Sequence, residues 1–134
     1  MSTRACYTFR DEHEEFHVYK HSDGYPSGAE KWIRDAACVA WQMPRFEADN
    51  FGAAFIAANM RHSECRLMRT GSIMDVAPGD IDYRYEIEKR DGGIYVTAFK
   101  TNYWTAAGIL PHEENLWSGH LDQMTEWVLA QNKE

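Results

Sequence analysis

Large and polar residues alternate along several short stretches of this chain, and helical spacing takes over between them. Ala5-Cys6-Tyr7-Thr8-Phe9-Arg10 predicts a first strand, Asp11 to Glu15 an acidic turn, and Phe16 to Lys20 the returning strand of a hairpin. Asp23-Gly24-Tyr25-Pro26 is dense in turn residues, and Ser27 is placed to cap a helix starting near Gly28. From Ala29 to Trp41 the positions Trp32, Ile33, Ala36, Ala37, Ala40 and Trp41 share one helical stripe. Met43-Pro44-Arg45 interrupts it, and Phe46 to Met60 predicts a second, alanine-rich helix packed on the first. Cys65 to Thr70 predicts a strand, and Asp75 to Asp80 a turn. Ile81 to Lys89 alternates cleanly, and Asp91-Gly92-Gly93 predicts a tight hairpin into a strand from Ile94 to Thr101. A two-residue turn at Asp91-Gly92 or at Gly92-Gly93 puts Tyr85 and Ile87 on one face with Ile94, Val96 and Ala98, and Arg84 on the other beside Phe99 and Thr101. Gly108 to Pro111 predicts a break and Leu116 to Gln131 a last helix. The expected fold is α+β: an antiparallel sheet of two hairpins, two packed helices after the first hairpin, and a C-terminal helix, in one domain over residues 1–134.

Composition narrows the classes. With 44% hydrophobic and 13% aromatic residues in 134, the chain can build one real core. Cys6, Cys38 and Cys65 are odd in number and widely spaced, which predicts no disulfide framework and a reducing cytoplasm. No run approaches the roughly 20 apolar residues of a membrane span. The net charge of −7 opposes broad contact with duplex nucleic acid, yet a few local cations can still hold one small anion.

Three constellations carry candidate chemistry. His13-Glu14-Glu15-Phe16-His17 is a literal HExxH, the zinc-hydrolase pattern when a helix brings both histidines to one side. Here it runs into β-prone Val18-Tyr19, and on a strand the two rings stand roughly 13 Å apart; a polar hairpin turn is the plainer reading, and no metal or cofactor is expected. The second is the strand-to-helix junction from Lys20 through Asp23, Gly24, Tyr25, Ser27 and Gly28, where unpaired amides and the helix dipole favour an anion such as phosphate. A glycine-containing loop that merely starts a helix is the alternative. The third joins Arg66, Arg69 and Arg84 to Phe99, Asn102, Tyr103 and Trp104. Guanidinium forks suit phosphate, rings stack on bases, and an amide reads a base edge or a ribose hydroxyl. Equally, Arg84 can pair with Glu86 or Glu88 across the sheet.

These residues resemble a family of small phage and prophage proteins. The resemblance lies in Ser2-Thr3-Arg4, Tyr19-Lys20-His21 with Asp23-Gly24-Tyr25-Pro26 and Gly28-Ala29, and Pro44-Arg45-Phe46-Glu47-Ala48-Asp49. It continues through Ala53-Ala54-Phe55-Ile56-Ala57-Ala58-Asn59, Gly79-Asp80-Ile81 and Tyr83-Arg84-Tyr85-Glu86. The family looks like the phage Thoeris anti-defence sponges, which sequester cyclic ADP-ribose signals. The resemblance implies an α/β protomer assembled as dimers or hexamers, with pockets between subunits and binding without cleavage. On that expectation Lys20, Asp23, Gly24, Tyr25, Ser27 and Gly28 hold phosphate, Arg66 and Arg84 neutralise charge, and Phe99, Asn102 and Trp104 stack and read the base. The alternative is an acidic inhibitor that occludes a basic channel of a host complex, which the net charge favours.

Overall fold

Asp11 makes the first turn and also starts a helix. Strands β1 (Ala5–Arg10) and β2 (Glu15–Lys20) pair antiparallel, with Thr8 opposite His17 and Arg10 opposite Glu15. Between them one oxygen of the Asp11 carboxylate accepts the His13 and Glu14 amides at 2.8 and 2.9 Å. Its other oxygen accepts the Ala48 amide at 2.8 Å. Ala48 is the first residue of the second helix, whose own N-cap, Glu47, makes no side-chain capping bond. The acidic turn is therefore the remote cap of a helix 37 residues away. Burial opposes charge on Asp11, but the three amides outweigh it and hold its carboxyl below the ordinary range.

The computed structural model describes residues 3–67, 81–102 and 112–131. Helix α1 (Pro26–Val39) and α2 (Ala48–Asn59) follow the first hairpin, then β3 (Cys65–Leu67), β4 (Tyr83–Arg90), β5 (Gly93–Asn102), β6 (His112–His120) and α3 (Leu121–Gln131). The six strands form one sheet in the order β3-β2-β1-β4-β5-β6. The α+β class stands as expected, with one correction. The sheet is mixed, because β1 and β4 run parallel at its centre, Tyr7 beside Tyr85 and Cys6 beside Arg84. Turn chemistry fixes each hairpin locally; the seam between hairpins is set by burial, since Tyr7, Phe9, Tyr85 and Ile87 are all fully enclosed.

Two further boundaries differ from expectation. The stretch 112–120 is a strand, so residues 116–120 are not the first turns of the helix expected over Leu116 to Gln131, which begins at Leu121. Ala98 pairs with Trp117 but Phe99 with Asn115, so Leu116 is the extra residue of a bulge. Leu116 and Trp117 both pack on the core although they are consecutive, which erases the alternation a strand normally displays. Helix α1 begins at Pro26, with Tyr25 as N-cap, and Ser27 lies inside the first turn and caps nothing. Proline at the first helical position needs no amide partner, so it starts the helix earlier than a serine cap would.

The helices share one face of the sheet. Phe55 meets Tyr7 at 4.5 Å and Phe51 meets Phe9 at 5.6 Å between ring centroids. Trp32, Ile33 and Ala36 of α1 and Met124 and Val128 of α3 complete this core. At the β4–β5 turn Asp91 and Gly92 have φ of 52° and 75°, the left-handed pair that a two-residue hairpin loop requires. Among the described residues no helix is long and apolar enough to cross a membrane.

Asp11→Ala removes the remote cap and two turn bonds together. It is expected to lower stability by about 1–2 kcal/mol, with Asp11→Asn losing less because it keeps an acceptor. Urea midpoints equal to the parent's would show that the turn does not anchor α2.

Candidate functional site

The end of β2, the loop after it, the start of α1 and the α2–β3 turn meet at one corner. Lys20 is fully buried there, on the helix face of the sheet. As an ammonium it donates to Ser63 Oγ at 2.7 Å and to His62 Nδ1 at 2.8 Å, and its nitrogen sits 4.3 Å from the centre of the Trp32 ring. The His62 ring lies 4.2 Å from that of Trp32, and its Nε2 is 3.0 Å from Asp23 Oδ2. Ser63, Lys20, His62 and Asp23 thus form one hydrogen-bonded chain. Burial lowers the lysine pKa from its ordinary value, and nearby Cys65 and Asp23 offset only part of that.

The loop is pinned by its backbone. Asp23 has φ 57°, and its carbonyl accepts the Trp32 indole N–H at 3.0 Å. The Gly24 amide donates to the Thr3 carbonyl at 2.9 Å, and its carbonyl accepts the Tyr85 hydroxyl at 2.6 Å. A Cβ on Gly28 would stand 2.2 Å from the Asp23 carbonyl oxygen, so loop and helix approach closer than any side chain permits. The first helical bond runs from the Ala29 amide to the Tyr25 carbonyl, which leaves the Ser27 and Gly28 amides ahead of it. No acid lies in that first turn, and Tyr25 is exposed beside it. Of the residues expected to hold phosphate, then, Gly24 is spent on the fold, Lys20 is enclosed and bonded to His62 and Ser63, and Asp23 carries a carboxylate bonded to His62 and to the Tyr25 hydroxyl.

The arginine and aromatic group is elsewhere, on the sheet face that meets no helix among the described residues. Arg84 is nearly buried and grips Glu113 with two nitrogens, at 2.6 and 2.9 Å, and Glu86 with a third at 2.7 Å. Its guanidinium lies 4.4 Å above the Phe99 ring, its partner across β4–β5. Glu86 also meets Arg10, which bonds Glu15, so carboxylates and guanidiniums alternate across the sheet from Glu15 to Glu113. Burial works against the Arg84 charge, but the two glutamates hold its pKa above the ordinary value. Arg84 is saturated by carboxylates and adds no free positive charge for a phosphate. Arg66 is exposed, paired with Glu64 at 2.8 Å and 5.3 Å from the Tyr19 ring centre. Asn102 ends β5 opposite His112; its side chain, and Arg69, Tyr103 and Trp104, lie outside the described residues.

The HExxH stretch spans the hairpin. His13 is in the turn, and His17 is a buried β2 residue whose Nδ1 lies 2.9 Å from Thr8 Oγ1. Among the described residues no three His, Cys, Asp or Glu side chains converge as a metal set. His62, Ser63 and Trp32 escaped the reading of the sequence. The signal for them was an alternation rule: Lys20 shares the inward face with Val18, so its nitrogen had to find buried partners somewhere. Comparison of the chain with protein-family models, with curated proteins and with solved structures finds no match.

Burial raises the pKa of Glu86, but bonds to Arg10 and Arg84 outweigh it and the net shift is downward. Folding therefore holds the proton off this group. Its contribution is present above the ordinary value of 4.5 and is lost as pH falls below that through the lowered folded value. Glu86→Gln is expected to cost about 2–3 kcal/mol at neutral pH and to lose less further stability than the parent from about pH 5 to about pH 3. Parallel acid profiles for the two proteins, read by urea unfolding, would remove Glu86 from the acid response.

Proposed function

We propose that this chain is a non-catalytic binding protein that sequesters a diphosphate nucleotide of the cyclic ADP-ribose class, acting as an oligomeric, phage-type anti-defence sponge in the host cytoplasm. The observation that carries the reading is the corner at the start of α1. There the helix begins with no side-chain cap and no acid in its first turn, next to an enclosed ammonium and an exposed tyrosine. Amides at a helix N-terminus bind phosphate because their dipoles point at it and cost no reorganisation. In this reading phosphate goes to the Ser27 and Gly28 amides with His62, and the field of Lys20 supports it from behind. Tyr25 offers a ring to the base or ribose. Arg84 then serves to hold Phe99 in place rather than to neutralise the ligand.

Retention without turnover fits the commitment of the corner's groups. Each strong donor around Lys20 already has an acceptor, so the cluster offers charge and shape more readily than a mobile proton.

A second reading has its own support at the opposite end of the sheet. A cleft of about 660 Å³ is lined there by Asp11, Glu12, Glu47, Glu88 and Asp91, with Arg10 and Lys89 as its cations. Arg10 is paired with Glu15 and Glu86, so the cleft is net acidic. An inhibitor that covers a basic channel of a host complex would use such a surface, and its association would weaken steeply with salt.

Calorimetric titration with ADP-ribose and its cyclic isomers decides the first reading. Protein at about 50 μM still registers about 6 kcal/mol of affinity. Saturable heat with one isomer, and that isomer recovered at unchanged mass after heat release, is the expected result. No heat with any isomer overturns the reading, and recovery of an opened or hydrolysed product overturns its non-catalytic part.

A further inference from the structure

We propose that the outward side of α2 is an interface with a second copy of this chain, the two α2 helices lying antiparallel about a two-fold axis. This gives the oligomer of the nucleotide reading a surface, and it rests on the helix alone, independently of any ligand.

Helix α2 has no polar side. Of its 12 residues only Asp49, Asn50 and Asn59 are polar, and all three lie near its ends. Phe51, Ala54 and Phe55 are buried against the core. The opposite side presents Ala53, Ile56, Ala57 and the C-cap Met60, at the spacing of a second apolar stripe. On α1 the outward side carries Lys31 and Asp35, which pair in water. A helix apolar on every side is one that is covered on every side. Beside the stripe runs a groove of about 370 Å³, lined by Phe16 and Leu67 from the sheet and by Gly52, Ala53, Ile56 and Ala57 from the helix. Leu67 and Met60 are 61% and 56% exposed. Among the described residues no element lies over this groove, and β3 beside it is the edge strand of the sheet.

Charge decides what covers it. Asp49 stands in the first turn of α2 and borders the groove, and Arg61 lies two residues past the helix; both are exposed. Their charged neighbours are spent. Glu47 pairs with Arg45, His62 with Lys20 and Asp23, and Glu64 with Arg66. Among the described residues Asp49 and Arg61 have no ion-pair partner. An apolar stripe with a negative charge at one end and a positive charge at the other is complementary to its own copy turned by half a revolution. The midpoint of the stripe falls between Ala54 and Phe55, so antiparallel pairing sets Ala53 against Ile56 and Gly52 against Ala57. It sets Asp49 against Met60 with Arg61 beside it, and the symmetry makes that ion pair twice. Small residues at the crossing let the two backbones approach to the about 8–10 Å at which helices pack. A small apolar ligand would meet the Asp49 carboxylate at the groove's border and gain nothing from Arg61.

The test is sedimentation equilibrium of the full chain without ligand, from about 1 to about 300 μM. The parent's mass is expected to rise from one chain towards two. Ala57→Arg places a charge in the middle of the contact and is expected to weaken the dimer at least about a hundredfold. Its helical circular dichroism is expected to match the parent's, because the position is exposed and arginine is a good helix former. Asp49→Arg and Arg61→Asp each set like charges face to face, and each is expected to weaken the dimer about tenfold. The two reversals combined are expected to return it to within about threefold of the parent. A parent that stays monomeric overturns the proposal and the oligomeric part of the nucleotide reading with it. If Ala57→Arg then unfolds at lower urea, the groove is covered by the chain's own residues; an unchanged midpoint leaves it to a foreign partner. A dimer that Ala57→Arg does not weaken, or single reversals that the double does not restore, overturns this surface and leaves an oligomer standing. None of these results touches nucleotide binding, which the calorimetric titration reads separately.

Discussion

An ammonium enclosed where no carboxylate among the described residues reaches it dictates the arrangement of one whole corner of this fold. Taking such a charge out of water costs several kcal/mol unless neutral acceptors and a polarisable face replace the solvent. Lys20 obtains them from Ser63 Oγ, His62 Nδ1 and the Trp32 ring. Each replacement constrains a different element. Trp32 fixes the rotation of α1, and Asn59 at the end of α2 donates to the Trp32 carbonyl at 3.1 Å. His62 and Ser63 fix the path from α2 into the edge strand β3, where Cys65 pairs with Lys20 itself. The lysine is thus a poor stabiliser by itself and an effective specifier of geometry, since any other course of the 60–64 turn strands its charge.

The two faces of the sheet solve different problems with the same alternation. The helix face is filled by rings: Tyr7 against Phe55 and Tyr85, Phe9 against Phe51. The other face meets no helix among the described residues, and it is organised by opposite charge. Glu15, Arg10, Glu86, Arg84 and Glu113 run across it with Phe99 beneath the central guanidinium. A guanidinium held by two carboxylates and stacked on a ring loses little by enclosure, because each N–H that leaves water finds an oxygen. The same saturation withdraws Arg84 from ligand charge.

Legibility in the sequence followed the range of the cause. The faces of the β4–β5 hairpin were readable from clean alternation, and the structure selects Asp91-Gly92 over Gly92-Gly93 as its turn, pairing Arg90 with Gly93. The parallel β1–β4 seam was not, since nothing near Tyr7 states that Tyr85 lies beside it. Strand β6 was hidden by the single extra residue Leu116. Among the candidate site residues, the loop from Asp23 to Gly28 was visible through its turn composition, and its position at the head of α1 followed. The partner of Arg84 was open between ligand and carboxylate, and the decisive group, Glu113, is 29 positions away. His62 looked like one scattered histidine of six because its meaning depends on the 42-residue separation that Lys20 closes.

Saturated networks hold position; unsaturated or exchangeable ones respond. On the charged sheet face Arg10 and Arg84 each bond two carboxylates, and moving either breaks several contacts at once. At the corner the bonds run in series, Ser63 to Lys20 to His62 to Asp23, and the last link is half exposed. A chain in series can be opened at its solvent end without disturbing the enclosed end.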